Sequence, residues 1–272
     1  MLEQPVRFER DGPVATLTIS RPDRLNAINA QVLADLLAAV REIERDDAIR
    51  VLILTGAPRA DGRPCFSAGD DLKEGAAGEA PAGNPGFRLT NAIDELWKPS
   101  IAAIDGVCTT GALELALACD LRVAAETAEI SDWHLKRLGS GLGGWGASTR
   151  LPRLVGLANA KDLILTGRVI DGREALRIGL ANRLAPAGRA LEVAREMGEA
   201  IAGMRAEGVR LTQAHLSRTM DLSKEESLGF AKQVREWMGG RGSFADAARG
   251  ALAQKRAVKG ASRERSEKLD EP

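Results

Sequence analysis

The stretch Phe66-Ser67-Ala68-Gly69-Asp70-Asp71-Leu72-Lys73-Glu74 constrains this chain more than any other. It follows the short apolar run Val51-Leu52-Ile53-Leu54-Thr55-Gly56, which reads as a buried strand. A turn of small residues after a strand lets backbone come close to a ligand, and Ala68 and Gly69 leave room for that approach. Asp70 and Asp71 suit the start of a helix, because an aspartate side chain accepts hydrogen bonds from free helix-end N–H groups. The turn can therefore offer bare N–H groups to a ligand's carbonyl. It can equally be an ordinary strand-to-helix loop.

At 272 residues the chain is within reach of one large α/β domain. Its 38 basic and 38 acidic residues cancel, so no global field draws it to nucleic acid or a membrane surface. Cys65, Cys108 and Cys119 lack metal-ligand spacing and read as reduced thiols, consistent with a cytoplasmic protein. With two histidines besides, a metal site is not expected. The first residues carry no basic-then-apolar signal pattern, and no apolar run approaches a membrane span.

Residues 6–10 and 14–20 predict a hairpin turning at Asp11-Gly12. Along 14–20 the alternation predicts one face more apolar than the other. Pro22 stops the strand, and Asn26 is placed to cap the next helix. In that helix Ile28, Val32, Leu33, Leu36, Leu37, Val40 and Ile43 form one stripe. Residues 75–86 read as a surface loop, 89–97 as a short helix, 100–104 as a strand and 111–118 as a helix. Further strands are expected at 121–125 and 128–131. From about residue 158 the pattern turns helical, with candidates at 158–165, 171–178, 190–204, 208–222, 223–238 and 244–258. The tail 259–272 mixes both charges and reads as disordered. Lys255, Arg256 and Lys259 read as a solvated basic face. The pattern alone supports a mixed α/β core.

A second strand candidate, Ser100-Ile101-Ala102-Ala103-Ile104-Asp105-Gly106, runs into Val107-Cys108-Thr109-Thr110-Gly111-Ala112-Leu113-Glu114-Leu115-Ala116-Leu117-Ala118-Cys119-Asp120. Earlier lies Ile19-Ser20-Arg21-Pro22-Asp23-Arg24-Leu25-Asn26-Ala27-Ile28. These two segments and 66–74, in this order, resemble the crotonase or enoyl-CoA hydratase/isomerase superfamily over nearly the whole chain. The resemblance implies an α/β fold, a crotonase-like spiral of repeated β-β-α turns followed by a C-terminal helical oligomerisation region. It implies an acyl-CoA-binding core over 1–195 and a trimerisation region over 196–258, assembled as a homotrimer or a hexamer. The implied activity is that of an acyl-CoA enzyme that stabilises a thioester enolate, with the coenzyme A thioester as substrate and no other cofactor.

By motif position, the resemblance assigns the two oxyanion donors to the backbone N–H groups of Asp70 and Gly111. The Asp70 carboxylate would oppose an enolate, so it is expected to turn away. Glu114 lies three residues after Gly111, on nearly the same helix face, among apolar neighbours. Such surroundings favour the protonated acid and suit general acid/base work; a solvent-facing glutamate is the other reading. The position matches one of two catalytic glutamates of enoyl-CoA hydratases. The second glutamate is missing from Ile130-Ser131-Asp132-Trp133-His134-Leu135-Lys136-Arg137-Leu138-Gly139, where His134 or Leu135 takes its place according to the alignment used. His134 titrates near neutrality and is nominated as the second acid/base, with Asp132 to assist or orient it. A buried histidine beside Trp133 is the plainer alternative.

Gly141-Leu142-Gly143-Gly144-Trp145-Gly146 matches the dinucleotide fingerprint by pattern, but no clean apolar strand precedes it. The resemblance places this loop at the acyl end of the pocket, where Trp145 either shapes specificity or fills the core. It also puts Arg24 and Leu25 at the adenine end of coenzyme A, with Ala68 and Leu72 along the pantetheine path. A surface arginine is an equal reading of Arg24. No aromatic follows Phe244 to close an adenine pocket. Isomerisation, hydrolysis of a C–C bond or thioester, and non-catalytic acyl-CoA binding stand as alternatives to hydration.

Overall fold

The computed structural model describes residues 4–76 and 83–239, together with residues 249 and 252. Val6–Asp11 (β1) and Val14–Ile19 (β2) pair antiparallel, with Asp11 opposite Val14. The hairpin therefore turns on Gly12 and Pro13, one residue later than expected. Ala30–Arg45 (α1) follows, burying Val32, Leu33, Leu36, Val40 and Ile43. Its cap is Asn29, whose side chain accepts the Val32 N–H at 3.0 Å. Asn26, expected there, has another task. Fully buried, it accepts the Arg21 N–H (3.0 Å) and donates to the carbonyls of Ala57 (2.7 Å) and Cys65 (2.9 Å). It staples the turn after β2 to the segment that carries the 66–74 motif.

Three strand–strand–helix turns come next. The first runs Val51–Gly56 (β3), Cys65–Ser67 (β4), Leu72–Ala76 (α2) and Pro85–Asp94 (α3). The second is Ser100–Ile104 (β5), Val107–Thr109 (β6) and Gly111–Ala118 (α4). The third is Leu121–Ala125 (β7), Glu129–Ser131 (β8), His134–Leu138 (α5) and Ala147–Thr166 (α6), the last broken at Gly156. Gly172–Arg177 (α7), Arg183–Ala185 (β9) and Ala190–Ala202 (α8) complete this part. Each turn gives one strand to each of two sheets. The larger has the order β1-β2-β3-β5-β7-β9 and is parallel beyond the hairpin; the smaller is β4-β6-β8, all parallel. This is the expected spiral of β-β-α turns.

The large sheet is covered on both faces, which is why its strands read as continuous apolar runs. Leu52, Leu54, Ala102 and Ile104 face the main core with α1 and α4. Val51, Ile53, Ile101, Ala103 and Val123 face Ala190, Ala194 and Ala202 of α8. Small residues every fourth position let that helix lie close to the sheet. β2 is likewise buried along its whole length, with Ala15, Leu17 and Ile19 on the more apolar face, as expected, and Thr16 and Thr18 on the other. The strands β6 and β9, the helix α5 and the first half of α6 are elements that periodicity did not mark.

Two features hold α4 in place. All of its residues are buried, and its C-terminal carbonyls at Ala116 (3.2 Å) and Cys119 (2.5 Å) accept from the buried Arg122 guanidinium. The same guanidinium donates to Leu180 O at 2.7 Å. The chain divides into two compact units, the first ending at Ala214 and the second starting at His215. Ala206–Arg218 (α9) and Lys224–Gly239 (α10) are the last long helices among the described residues. In the second unit Ser223 and Glu226 form a capping box, each side chain accepting the other's N–H. His215 stacks on Phe230 with ring centroids 5.5 Å apart. Most of the expected helix at 244–258, the tail 259–272 and the basic face at Lys255, Arg256 and Lys259 lie outside the described residues, as does much of the loop 75–86. Among the described residues no helix is long and apolar enough to cross a membrane.

Replacing Asn26 by alanine leaves two buried carbonyls and one N–H without partners. Such losses cost on the order of 3 kcal/mol in total. Urea denaturation of Asn26→Ala is expected to show a loss of that size; a loss below about 1 kcal/mol would contradict the stapling role.

Candidate active site

The two small-residue turns meet at the C-terminal ends of β4 and β6. Ser67 starts the first, its hydroxyl donating to Asn26 O (2.8 Å) and accepting the Gly69 N–H (3.1 Å). Gly69 has φ +86, and a Cβ there would lie 2.7 Å from the Thr109 carbonyl oxygen and 3.1 Å from the Gly111 nitrogen. Only glycine permits this contact. Thr109 Oγ1 ties the turns together by donating to Ala68 O at 3.0 Å. On the far side Asp71 donates its N–H to Ile28 O (2.9 Å) and pairs with Arg21 (2.9 Å). The Asp70 N–H, between these anchored neighbours, has no acceptor among the described residues.

Gly111 is the first residue of α4, so its N–H has no intrahelical acceptor. None of the described residues supplies one. The preceding Thr110 has φ 56 and ψ −117, an uncommon conformation for a non-glycine residue that sets the tilt of the Thr110–Gly111 peptide. The structure thus brings the Asp70 and Gly111 turns side by side, each with a spare N–H at the positive end of a helix or turn.

Glu114 is one turn into α4 and 1% exposed. Its surroundings are polar where they matter, which corrects the expectation of an apolar pocket. Oε1 accepts the N–H groups of Trp145 (2.8 Å) and Ala147 (3.0 Å). Ala147 is the first residue of α6, so that helix points its positive end at the carboxylate. Gly143, at φ +70, makes the fit possible, since a Cβ there would lie 2.4 Å from Oε1. Oε2 faces His134 Nε2 at 3.3 Å. On the other side of the ring, Nδ1 lies 2.9 Å from Asp132 Oδ1, which also accepts the His134 backbone N–H at 2.9 Å.

Carboxylate oxygens only accept, so both ring nitrogens are donors and the ring is an imidazolium. Desolvation opposes that charge, but the hydrogen bonds and charges of Asp132 and Glu114 outweigh it and lift the His134 pKa to about 9. The Asp70 carboxyl feels the charges of both Glu114 and His134. Although the residue is exposed, surrounding protein desolvates its carboxyl, and Glu114 repels its charge. Together these push its pKa up to about 6, with His134 acting in the opposite sense.

The remaining expected residues spread outward. Ala68 is part-buried, donating its N–H to Leu25 O at 2.9 Å, and Leu25 takes a left-handed conformation with φ 52. Arg24 and Leu72 are exposed. Trp145 is buried, its ring packed against Gly86 and Gly111, so the indole forms part of the wall behind Gly111. Its carbonyl accepts from Thr90 Oγ1 (2.8 Å) and Arg150 Nη1 (2.8 Å). The glycine-rich loop 141–146 follows a helix, not a strand, and cradles Glu114. Sequence reasoning missed those two backbone donors to Glu114; paired small residues before α6 were the available signal. Among the described residues no group of three or more His, Cys, Asp or Glu is arranged to hold a metal.

Comparison with known proteins shows the family and the fold. A family model described as enoyl-CoA hydratase/isomerase matches residues 9–250. A protein of Mycobacterium bovis named as a probable enoyl-CoA hydratase is 37% identical over 236 residues, covering 86% of this chain and 89% of the relative. A short-chain-enoyl-CoA hydratase of Clostridium acetobutylicum is 34% identical, covering 84% and 87%. The crystal structure of an enoyl-CoA hydratase from Bacillus anthracis superposes with a TM-score of 0.83 at 32% identity, covering 93% of this chain and 97% of that one.

The fold favours the neutral form of Asp70. The stability this contributes is present below the ordinary pKa of 3.8 and is lost as pH rises through about 6. Asp70→Asn, which keeps the N–H, is expected to raise Tm at pH 8 and to leave it nearly unchanged at pH 4. Equal differences at both pH values would show that the carboxyl is not held in the site.

Proposed function

The chain belongs to the enoyl-CoA hydratase/isomerase family and is an enzyme of that type, and on this premise we propose that it adds water to the double bond of a 2-enoyl-CoA thioester. The observation that carries the reading is the convergence of two unused N–H groups, at Asp70 and Gly111, beside a buried glutamate that keeps one oxygen for chemistry. The thioester oxygen sits between the two N–H groups, which receive the negative charge of the enolate. One such donor is typically worth about 3 kcal/mol.

Glu114 Oε1 is committed to two backbone donors, so Oε2 does the proton transfer. The water oxygen bonds to Cβ as one of its protons passes to Oε2, and the π electrons move onto the thioester oxygen. The enolate then takes a proton at Cα from His134 Nε2–H and the thioester carbonyl re-forms. Transfer of the proton from Glu114 to His134 across their contact restores both groups. Water has added and no other co-reactant is needed. Arg24, Leu25, Ala68 and Leu72 are assigned to coenzyme A and its pantetheine arm. Trp145 is assigned to the wall of the acyl end.

A second reading, double-bond isomerisation, is favoured by one feature: a single carboxylate stands where the hydratase pattern has two. In that reaction Glu114 alone removes a proton and returns it at another carbon of the same enolate. The same proposal includes a cytoplasmic homotrimer or hexamer. Leu216, Met220 and Leu228 in the second unit, each at least 60% exposed, support helices that meet another subunit.

Loss of enoyl-thioester absorbance with crotonyl-CoA is the assay. Glu114→Gln is expected to lower kcat about a thousandfold while coenzyme A binding persists. In the wild type kcat should fall as pH rises through about 9, where His134 loses its proton. Turnover of a 3-enoyl-CoA without any hydration of crotonyl-CoA would select isomerisation. Unchanged turnover in Glu114→Gln would remove Glu114 from the mechanism.

A further inference from the structure

Asp132 is fully buried, yet only one of its oxygens is used. Oδ1 accepts both the backbone N–H and the Nδ1–H of His134, whereas Oδ2 has no partner among the described residues. Burying a carboxylate with an oxygen unpaired is expensive. A residue needed only to start the five-residue helix α5 has no use for that charge: an asparagine accepts the same backbone N–H, as Asn29 does for α1. A cation against Oδ1 offsets part of the cost, and the His134 ring is in that position.

The double contact has a geometric effect as well. One oxygen fixes the His134 backbone and its ring together, which leaves Nε2 a single direction, toward Glu114 Oε2 at 3.3 Å. The charged groups acting on the ring are Asp132 from its own loop, Glu114 from α4 and Asp70 from the turn after β4.

We propose that Asp132 is a positioning residue that acts through His134, holding an imidazolium donor on Glu114 so that one carboxylate and one cation divide the proton transfers of this site. This rests on the hydratase/isomerase reading of the site. It changes the chemistry of that site, because a second carboxylate would accept a hydrogen bond from water, whereas Nε2–H donates and delivers its proton to the enolate.

The test is Asp132→Asn in the full chain, which keeps the acceptor for the backbone N–H and removes the charge. The expected result is a kcat lowered tenfold or more, with KM and coenzyme A binding changed less than twofold. The basic limb of the kcat profile should move from about 9 toward 6.5 by at least one pH unit. Titration of ring nitrogens in protein labelled with 15N-histidine, with His215→Gln to assign the two signals, should show His134 moving by the same amount. Unmoved limb and unmoved ring titration would overturn the proposal even if kcat fell. So would an Asp132→Asn/His134→Gln variant tenfold slower than His134→Gln alone. If Asp132→Asn does not fold, a wild-type His134 ring that titrates near 6.5 overturns the proposal by itself, and one near 9 supports it. A wild type that turns over no enoyl-CoA would defeat the reaction assignment, while the ring titration would still decide the role of Asp132.

Discussion

Backbone approaches backbone at Gly69 more closely than any side chain would allow, and the site depends on that contact. It follows from the spiral. β4 and β6 are neighbours in the small parallel sheet, so their chains leave it at the same end. Both turns must then occupy the same space, and glycine solves the crowding. The result is two N–H groups from positions 70 and 111, fixed beside each other before any ligand arrives. Preorganised donors of this kind need not reorient during the reaction, which is why they lower a barrier. The Arg21–Asp71 ion pair, the Asn26 staple and the Ser67 hydroxyl all act on the same turn from behind.

Behind the donors lies a buried charge cluster of Asp132, His134 and Glu114, with Asp70 at its open edge. Removing several charges from water costs several kcal/mol for each ion unless partners replace the lost hydrogen bonds. Here the replacement is specific. Two backbone N–H groups and an imidazolium serve Glu114, and Asp132 serves the imidazolium. The helix ends contribute too, since α6 starts at Ala147 and faces the carboxylate. The cluster thereby holds Glu114 and His134 against each other in a buried part of the structure, where electrostatic interactions are strongest.

Much of this was legible in the sequence because it is carried by patterns with a physical cause. The helical stripe of α1, the apolar runs of β3, β5 and β7, and the small residues around Asp70 and Gly111 each follow from burial or close approach. Other parts left no such trace. β4, β6, β8 and β9 have three residues each, too short for periodicity, and only β8 was marked. Pro152 and Gly156 hid the start of α6. The donors to Glu114 are main-chain groups of Trp145 and Ala147, and any residue type carries the same N–H. Asn26 was misjudged because capping and stapling use the same side chain, and only the tertiary structure separates them.

The central claim is that this site stabilises an enolate at a thioester, whichever reaction it then completes. The most direct measurement is deuterium incorporation at Cα of a saturated acyl-CoA such as butyryl-CoA in D2O, read by mass spectrometry with binding checked on the same sample. The account predicts exchange catalysed by the wild type and abolished when both Glu114 and His134 are replaced by glutamine. Saturated binding with no exchange above the uncatalysed rate would contradict it.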